Sequence, residues 1–212
     1  DAIANKLKLI RNHAEAVVGG MGVTDLSNMI GYNYRLGEIE CAIGIEQLKK
    51  LPDLVQGRQK AAEKLTTILT GLPGLTLPVV REGCTHAYYM YPMVLDLDEL
   101  GVKRARIIEA LTAEGITGLT DGYVNVHMLP MYQNKIAYGS SGFPWSSDIC
   151  RRDVSYQKGI CPVAEKLHDY TYMGLSVCMH ELKDAEVESI GLAFHKVWNH
   201  LDKLKIAQST VI

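Results

Sequence analysis

The order of apolar and polar positions predicts a mixed α/β chain. From Leu36 to Lys50, Leu36, Ile39 and Ile43 form one helical stripe, and Cys41, Ile45 and Leu48 form an adjacent one. So wide an apolar arc is expected of a helix buried on most sides. Glu38 and Glu40 in its first turn and Lys49 and Lys50 in its last match the helix dipole. Pro52 suits the first turn of a second helix, where Leu54, Ala61, Leu65, Ile68, Leu69 and Leu72 recur until Gly71, Pro73 and Gly74 stop it. Two long helices meeting at a tight corner are therefore expected.

Ala2 to Arg11 reads as a helix, and Gly19, Gly20 and Gly22 as a flexible stretch before Tyr32. Tyr88 to Leu95 has the aromatic and aliphatic run of a strand, and Val102 to Glu114 the periodicity of a helix closed by Gly115. Further strands are expected from Ile116, over Tyr123 to Met128, and over Tyr172 to Cys178. This alternation predicts a small, mainly antiparallel sheet with helices on one face. Between Leu129 and Ile160 periodicity vanishes for about thirty residues, a length typical of a functional loop. Its apolar side chains, Met131, Tyr132, Tyr138, Phe143, Trp145 and Tyr156, argue that it is ordered. Pro162 opens a short helix through His168, and a last amphipathic helix runs from about Ala185 with Asp184 as N-cap.

Composition narrows the function. The 212 residues carry 22 Lys and Arg against 24 Asp and Glu, a net charge of −2, which gives no attraction for a polyanion. Neither nucleic acid nor an anionic membrane is expected as partner. No apolar run approaches the ~20 residues that cross a bilayer, and Asp1 to Lys6 lacks the start of a signal peptide, so a cytoplasmic location is expected. The five cysteines lack metal-ligand spacing and are expected as buried or half-buried thiols. The seven histidines form no ligand-spaced set, and His195 and His200 are read as facing solvent. Tyrosine, at 11 residues, far exceeds phenylalanine at 2, as suits half-wet clefts or subunit contacts.

No phosphate loop, dinucleotide fingerprint or nucleophile elbow is present in the sequence. One segment carries candidate chemistry. Gly31-Tyr32-Asn33-Tyr34-Arg35 sets an amide, two phenols and a guanidinium just before a helix N-terminus, a corner that suits a phosphate. An ordinary loop, with Asn33 capping the helix and Arg35 paired to a carboxylate, is the alternative.

Arg11-Asn12-His13, the Gly31 to Leu36 segment with Ile39, Ala42, Gly44, Gln47, Leu48 and Leu51, His86 to Pro92, Gly115-Ile116, His127 to Tyr132, and Cys161 to Leu167 follow one another in order. Taken together this set resembles the DegT/DnrJ/EryC1/StrS aminotransferases, fold-type I enzymes that use pyridoxal phosphate to aminate keto-sugars, mostly nucleotide-linked. The resemblance implies that Asn33 reaches the cofactor phosphate of a neighbouring subunit in a homodimer, with Arg35 adding charge there. It makes His127, Tyr132 and His86 substrate candidates, although Tyr89 stands where the common second histidine of that motif would be. It implies glutamate as amino donor. Residues 1–50 would be the end of the large domain with a dimer- and cofactor-facing helix, and residues 51–212 a connecting helix plus the small α/β domain. No segment matches the one bearing the Schiff-base lysine, and Lys6 and Lys8 are not read as that lysine, so no catalytic residue is assigned and the chain alone is expected to be inactive. A non-catalytic dimerisation module of the same fold, or a relative that dehydrates sugars, remains open. Phe143-Pro144-Trp145 and Arg151-Arg152-Asp153 are candidates for setting sugar specificity.

Overall fold

A computed structural model describes residues 2–14, 30–150 and 154–206. The chain forms two compact units, Asp1–Pro52 and Asp53–Ile212. The predicted glycine hinge at Gly19 to Gly22 and the basic pair Arg151-Arg152 lie outside the described residues.

In the first unit, helix α1 (Ala2–Arg11) buries Leu9 and ends in two left-handed residues, His13 and Ala14, with Ala14 N–H donating to Leu9 O. The chain returns antiparallel to this end. Tyr32 N–H donates to Ile10 O at 2.7 Å, His13 N–H to Tyr32 O at 3.0 Å and Tyr34 N–H to Arg11 O at 3.0 Å. A side chain at Gly31 could not fit this crossing, since its Cβ would lie 2.1 Å from the carbonyl carbon of His13.

Helix α2 (Glu38–Leu69) runs unbroken through Pro52, where a corner between two helices was expected. Proline removes the N–H that would bond to the carbonyl four residues back and crowds that carbonyl. Around it Leu48, Leu51 and Leu54 are all exposed, so the freed Leu48 carbonyl lies on a surface stretch of the helix rather than in the core. The expected burial of the Leu36 to Lys50 arc is also not found: Ile39 is 76 % exposed and Leu48 67 %. Burial comes later, at Ala62, Leu65 and Leu69.

That later half of α2 belongs to the second unit. Strands β1 (Leu75–Thr76), β2 (Tyr91–Leu95), β3 (Leu119–Thr120) and β4 (Tyr172–Leu175) form a four-stranded, wholly antiparallel sheet in the order β1-β2-β4-β3. Its register pairs Tyr91 with Leu175 and Val94 with Tyr172. Alternation along β2 turns Tyr91, Met93 and Leu95 into one core with Met173 and Leu175 of β4. Helices α3 (Leu97–Leu100), α4 (Arg104–Ala113) and α7 (Asp184–Trp198) complete that core through Leu100, Ile107, Leu111, Val187 and Phe194. Helices α5 (Pro130–Asn134) and α6 (Pro162–Lys166) lie in the long loop and at its end, and α8 (Leu201–Ile206) follows α7.

Two large polar side chains entering the core are paired. The Tyr91 hydroxyl lies 2.7 Å from Thr66 Oγ1, and Trp198 Nε1–H donates to Pro73 O at 2.8 Å. His195, expected to face solvent, is half-buried with Nε2 2.9 Å from Ile68 O. Lys183 rather than Asp184 is the N-cap of α7, and its backbone N–H donates to Glu186. The expected strand from Tyr123 to Met128 is absent; Val126–Met128 is a 3₁₀ turn, and these residues have no strand to pair with. Tyr88 and Tyr91 are core residues, so the tyrosine excess is only partly a surface feature. Cys84 and Cys161 are exposed, contrary to expectation, and the other three thiols are half-buried. Among the described residues no helix is long and apolar enough to cross a membrane, and no cluster of three or more metal-ligating side chains occurs.

Helices α2 and α7 pack at Gly191, where a Cβ would sit 2.4 Å from the Ile68 Cγ2 methyl. Gly191→Ala is expected to lose about 1–3 kcal/mol from overpacking despite alanine's better helix propensity. A lowered midpoint in chemical denaturation checks this.

Candidate functional site

The five predicted site residues fall into two groups. Asn33 and Arg35 lie in the first unit, on the exposed strip Tyr32–Leu36 whose start forms the crossing with the end of α1. The rings of Tyr32 and Tyr34 stack at 5.1 Å and 20°, which stiffens the strip on either side of Asn33. Among the described residues neither the Asn33 carboxamide nor the Arg35 guanidinium has a side-chain hydrogen bond or ion pair within the chain, so both are available to a ligand. Asn33 does not cap α2. The positive end of that helix is met by its own Glu38 and Glu40, and the Glu40 carboxylate folds back over Gly37. An anion at this corner is therefore offered the two side chains rather than the helix terminus.

His86, His127 and Tyr132 belong to the second unit. His86 is built into the approach to β2: its Nδ1 accepts the Tyr88 N–H at 2.8 Å, its ring packs on Tyr88 at 4.3 Å, and its carbonyl accepts from Gln59. That acceptor helps hold Tyr88 at φ 48°, a left-handed conformation uncommon for a bulky residue. Tyr132, on α5, packs edge-on to Trp145 at 6.0 Å and against Tyr156 at 5.2 Å, while Trp145 Nε1–H donates to the Tyr156 hydroxyl. These three rings are the ordered core of the long loop.

His127 has a partner that the sequence did not single out. Its Nε2 lies 2.9 Å from Glu165 Oε1, with the two side chains 11 % and 8 % exposed. Glu165 projects from α6 and also accepts the Gly159 N–H at 2.8 and 2.7 Å and the Cys161 N–H at 3.2 Å. Burial pushes this carboxyl up, but the Gly159 and Cys161 N–H groups and His127 outweigh it and hold Glu165 below the ordinary carboxylate value. Gln133 Nε2 ties the same region together by donating to His127 O and Tyr156 O, each at 2.6 Å.

Helix α6 is anchored in turn. A π-turn, Leu167–Thr171, follows it, and Arg104 Nη1 donates to Leu167 O at 3.3 Å, His168 O at 2.8 Å and Tyr172 O at 3.1 Å. Arg104 thus bridges carbonyls of the turn and of the first residue of β4. Nothing in the spacing of Glu165 and Arg104 marks them; Glu165 reaches His127 38 residues away, and Arg104 reaches Leu167 63 residues away. A cavity of about 730 Å³ lined by Val94, Asp98, Val163, Lys166 and Tyr170 contains none of the five predicted residues.

A sequence profile of the DegT/DnrJ/EryC1/StrS aminotransferase family matches residues 1–167, and therefore includes both groups. The chain belongs to this family. It is similar to the spore coat polysaccharide biosynthesis protein SpsC of Bacillus subtilis (strain 168), 31 % identical over 125 residues that make up 59 % of this chain and 32 % of the relative. It is also similar to GDP-perosamine synthase of Vibrio cholerae, 27 % identical over 163 residues, 76 % of this chain and 42 % of that enzyme. The solved structure of DesI in the presence of its TDP-sugar product shares the fold, with a TM-score of 0.70 at 17 % identity over 99 % of this chain and 46 % of that one. The chain spans less than half the length of the curated relatives it matches. The family's small antiparallel sheet and flanking helices are those described above.

The depressed Glu165 carboxyl links stability to pH. A carboxyl ordinarily near 4.3 that titrates lower in the folded state adds stability above that value and loses it as pH falls through the folded one. Glu165→Gln is expected to lower the urea midpoint near neutral pH, with the gap to wild type closing as pH drops below about 4.

Proposed function

We propose that residues 1–212 form part of a pyridoxal-phosphate-dependent aminotransferase that moves an amino group from glutamate to a nucleotide-linked keto-sugar. The observation that carries this reading is the family match over residues 1–167 together with Asn33 and Arg35, presented side by side and without side-chain partners among the described residues. A carboxamide and a guanidinium fit a phosphate: the first donates two N–H groups, and the second adds fixed positive charge and a bidentate fork. When bound, pyridoxal phosphate supplies the electron sink through which the amino group is exchanged. Asn33 and Arg35 bind and orient its phosphate; His127 and Tyr132 face the sugar from the long loop, and His86 shapes the approach to β2.

In this reading residues 1–50 are the end of the large domain and residues 51–212 the connecting helix and small domain. The active form is a soluble, cytoplasmic homodimer, which neither nucleic acid nor membrane is needed to complete. The exposed apolar positions Leu36, Ile39, Ile43 and Leu48 support a face that another protein surface covers. The lysine that anchors the cofactor is not assigned to any residue of this sequence. The relative named GDP-perosamine synthase supports a nucleotide-linked substrate.

The chain by itself is expected to bind pyridoxal phosphate without forming a lysine adduct. Borohydride reduction followed by peptide mapping reads this directly, and a reduced adduct at any lysine here overturns the assignment. In an assembly that transaminates, Asn33→Ala is expected to weaken cofactor binding about 10- to 100-fold, the worth of one hydrogen bond to a charged group.

A further inference from the structure

The hydrophobic core of the second unit passes from Leu119 of β3 to Met173 of β4 and takes no described side chain from the chain between them. Along that stretch the described side chains that are buried are Glu165 and Thr171, both polar. Polar contacts therefore hold it in place, and they form two tiers. The base is α6 with its π-turn, fixed to α4 by Arg104, which donates to Leu167 O, His168 O and Tyr172 O and lies 3.6 Å from the Asp121 carboxylate. Arg104 thus grips the chain both before and after the long loop. The second tier is an arm, residues 126–150 and 154–161. Inside it Tyr132, Trp145 and Tyr156 cluster, Gln133 Nε2 reaches Tyr156 O, and Lys135 Nζ reaches Val154 O at 2.9 Å. Its buried tie to the base is Glu165, which takes His127 from one end of the arm and the Gly159 and Cys161 N–H groups from the other. The Lys158–Asp169 pair adds a more exposed one.

We propose that this arm is a separate cooperative unit, latched by the Glu165 carboxylate, which opens and unfolds while the sheet and its helices stay folded. Opening it uncovers none of the hydrophobic core, so the burial that stabilises the sheet is kept in the open state. Once released, the arm does not hold itself: a segment of fewer than about 40 residues around three rings has too little core of its own. The latch concentrates closure in one group, because its loss leaves the His127 imidazole and the Gly159 and Cys161 N–H groups without their acceptor at once. His127 and Tyr132 both ride on the arm, whereas His86 stays beside β2 with the core. Opening therefore withdraws two of the five candidate residues together. None of this depends on the reaction that the protein performs.

Native-state hydrogen exchange of the 212-residue chain, in low and rising denaturant, reads the size of each opening. In the wild type the hydrogen-bonded amides of Tyr132, Ile136, Ser146 and Cys161 are expected to share one opening, with a smaller free energy and a smaller denaturant slope than the amides of β2 and β4. Two variants separate the arm from the core. Gly191→Ala, at the contact of α2 with α7, is expected to lower the protection of β2 and β4 about 5- to 150-fold and to leave the arm unchanged, because that contact survives the opening of the arm. Glu165→Gln is expected to lower both by one factor, about 10- to 100-fold, because both openings break its bonds; the limit is complete loss of protection in the arm with the sheet still folded. Arm amides that fall together with the sheet in Gly191→Ala overturn the separate unit, since the two then open only as one. In Glu165→Gln, a loss confined to the Gly159 and Cys161 amides overturns the latch, and so does a chain whose sheet is unfolded.

Discussion

A carboxylate withdrawn from water has to be met by donors, and in the second unit Glu165 gathers them from His127, Gly159 and Cys161. Its partners come from the two ends of the long loop: His127 at the start, Gly159 and Cys161 at the close. One buried charge therefore ties together both ends of a segment that has little regular secondary structure. Removing either side would leave an unpaired buried group, and this asymmetry makes such contacts strong determinants of a single conformation. The aromatic trio Tyr132, Trp145 and Tyr156 fills the interior of the loop, but rings alone do not fix register; the carboxylate does.

The chain beyond this site divides between burial that is complete and burial that is not. In the second unit, the sheet, the later half of α2 and the helices α4 and α7 enclose a core in which polar intrusions such as the Tyr91 hydroxyl and Trp198 Nε1 find partners. In the first unit the opposite holds along the start of α2, where one large apolar side chain after another faces solvent. The same helix thus carries two different surfaces, one finished by this chain's own sheet and one of a kind that proteins generally cover with another surface. That division accords with a chain that spans less than half the length of its relatives.

Legibility followed the range of the interactions. Asn33 and Arg35 could be singled out because their chemistry is local: an amide and a guanidinium close together before a helix. Glu165 could not, since an acid in Pro162-Val163-Ala164-Glu165 reads as an ordinary first-turn carboxylate until His127 is brought to it. His195 was read as a solvent-facing residue of an amphipathic helix for the same reason, because its acceptor, the Ile68 carbonyl, belongs to a helix far away in sequence.

By itself the sequence determined where helices and strands tend to form, that the sheet would be antiparallel, which family the motif order resembles, and which short segment sets an amide and a guanidinium close together before a helix. Those properties depend on spacing and on neighbours within a few residues. Tertiary structure decided the rest. Pro52 lies within one helix, on a stretch whose neighbouring leucines are exposed, and that burial is a question local propensity cannot answer. Tyr123 to Met128 is not a strand because the sheet offers it no partner. His127 is a paired imidazole rather than a free one because folding carries a carboxylate from 38 residues away to its Nε2. Each outcome turns on what a group meets at long range, and a polar group's role is set by that partner more than by its own identity.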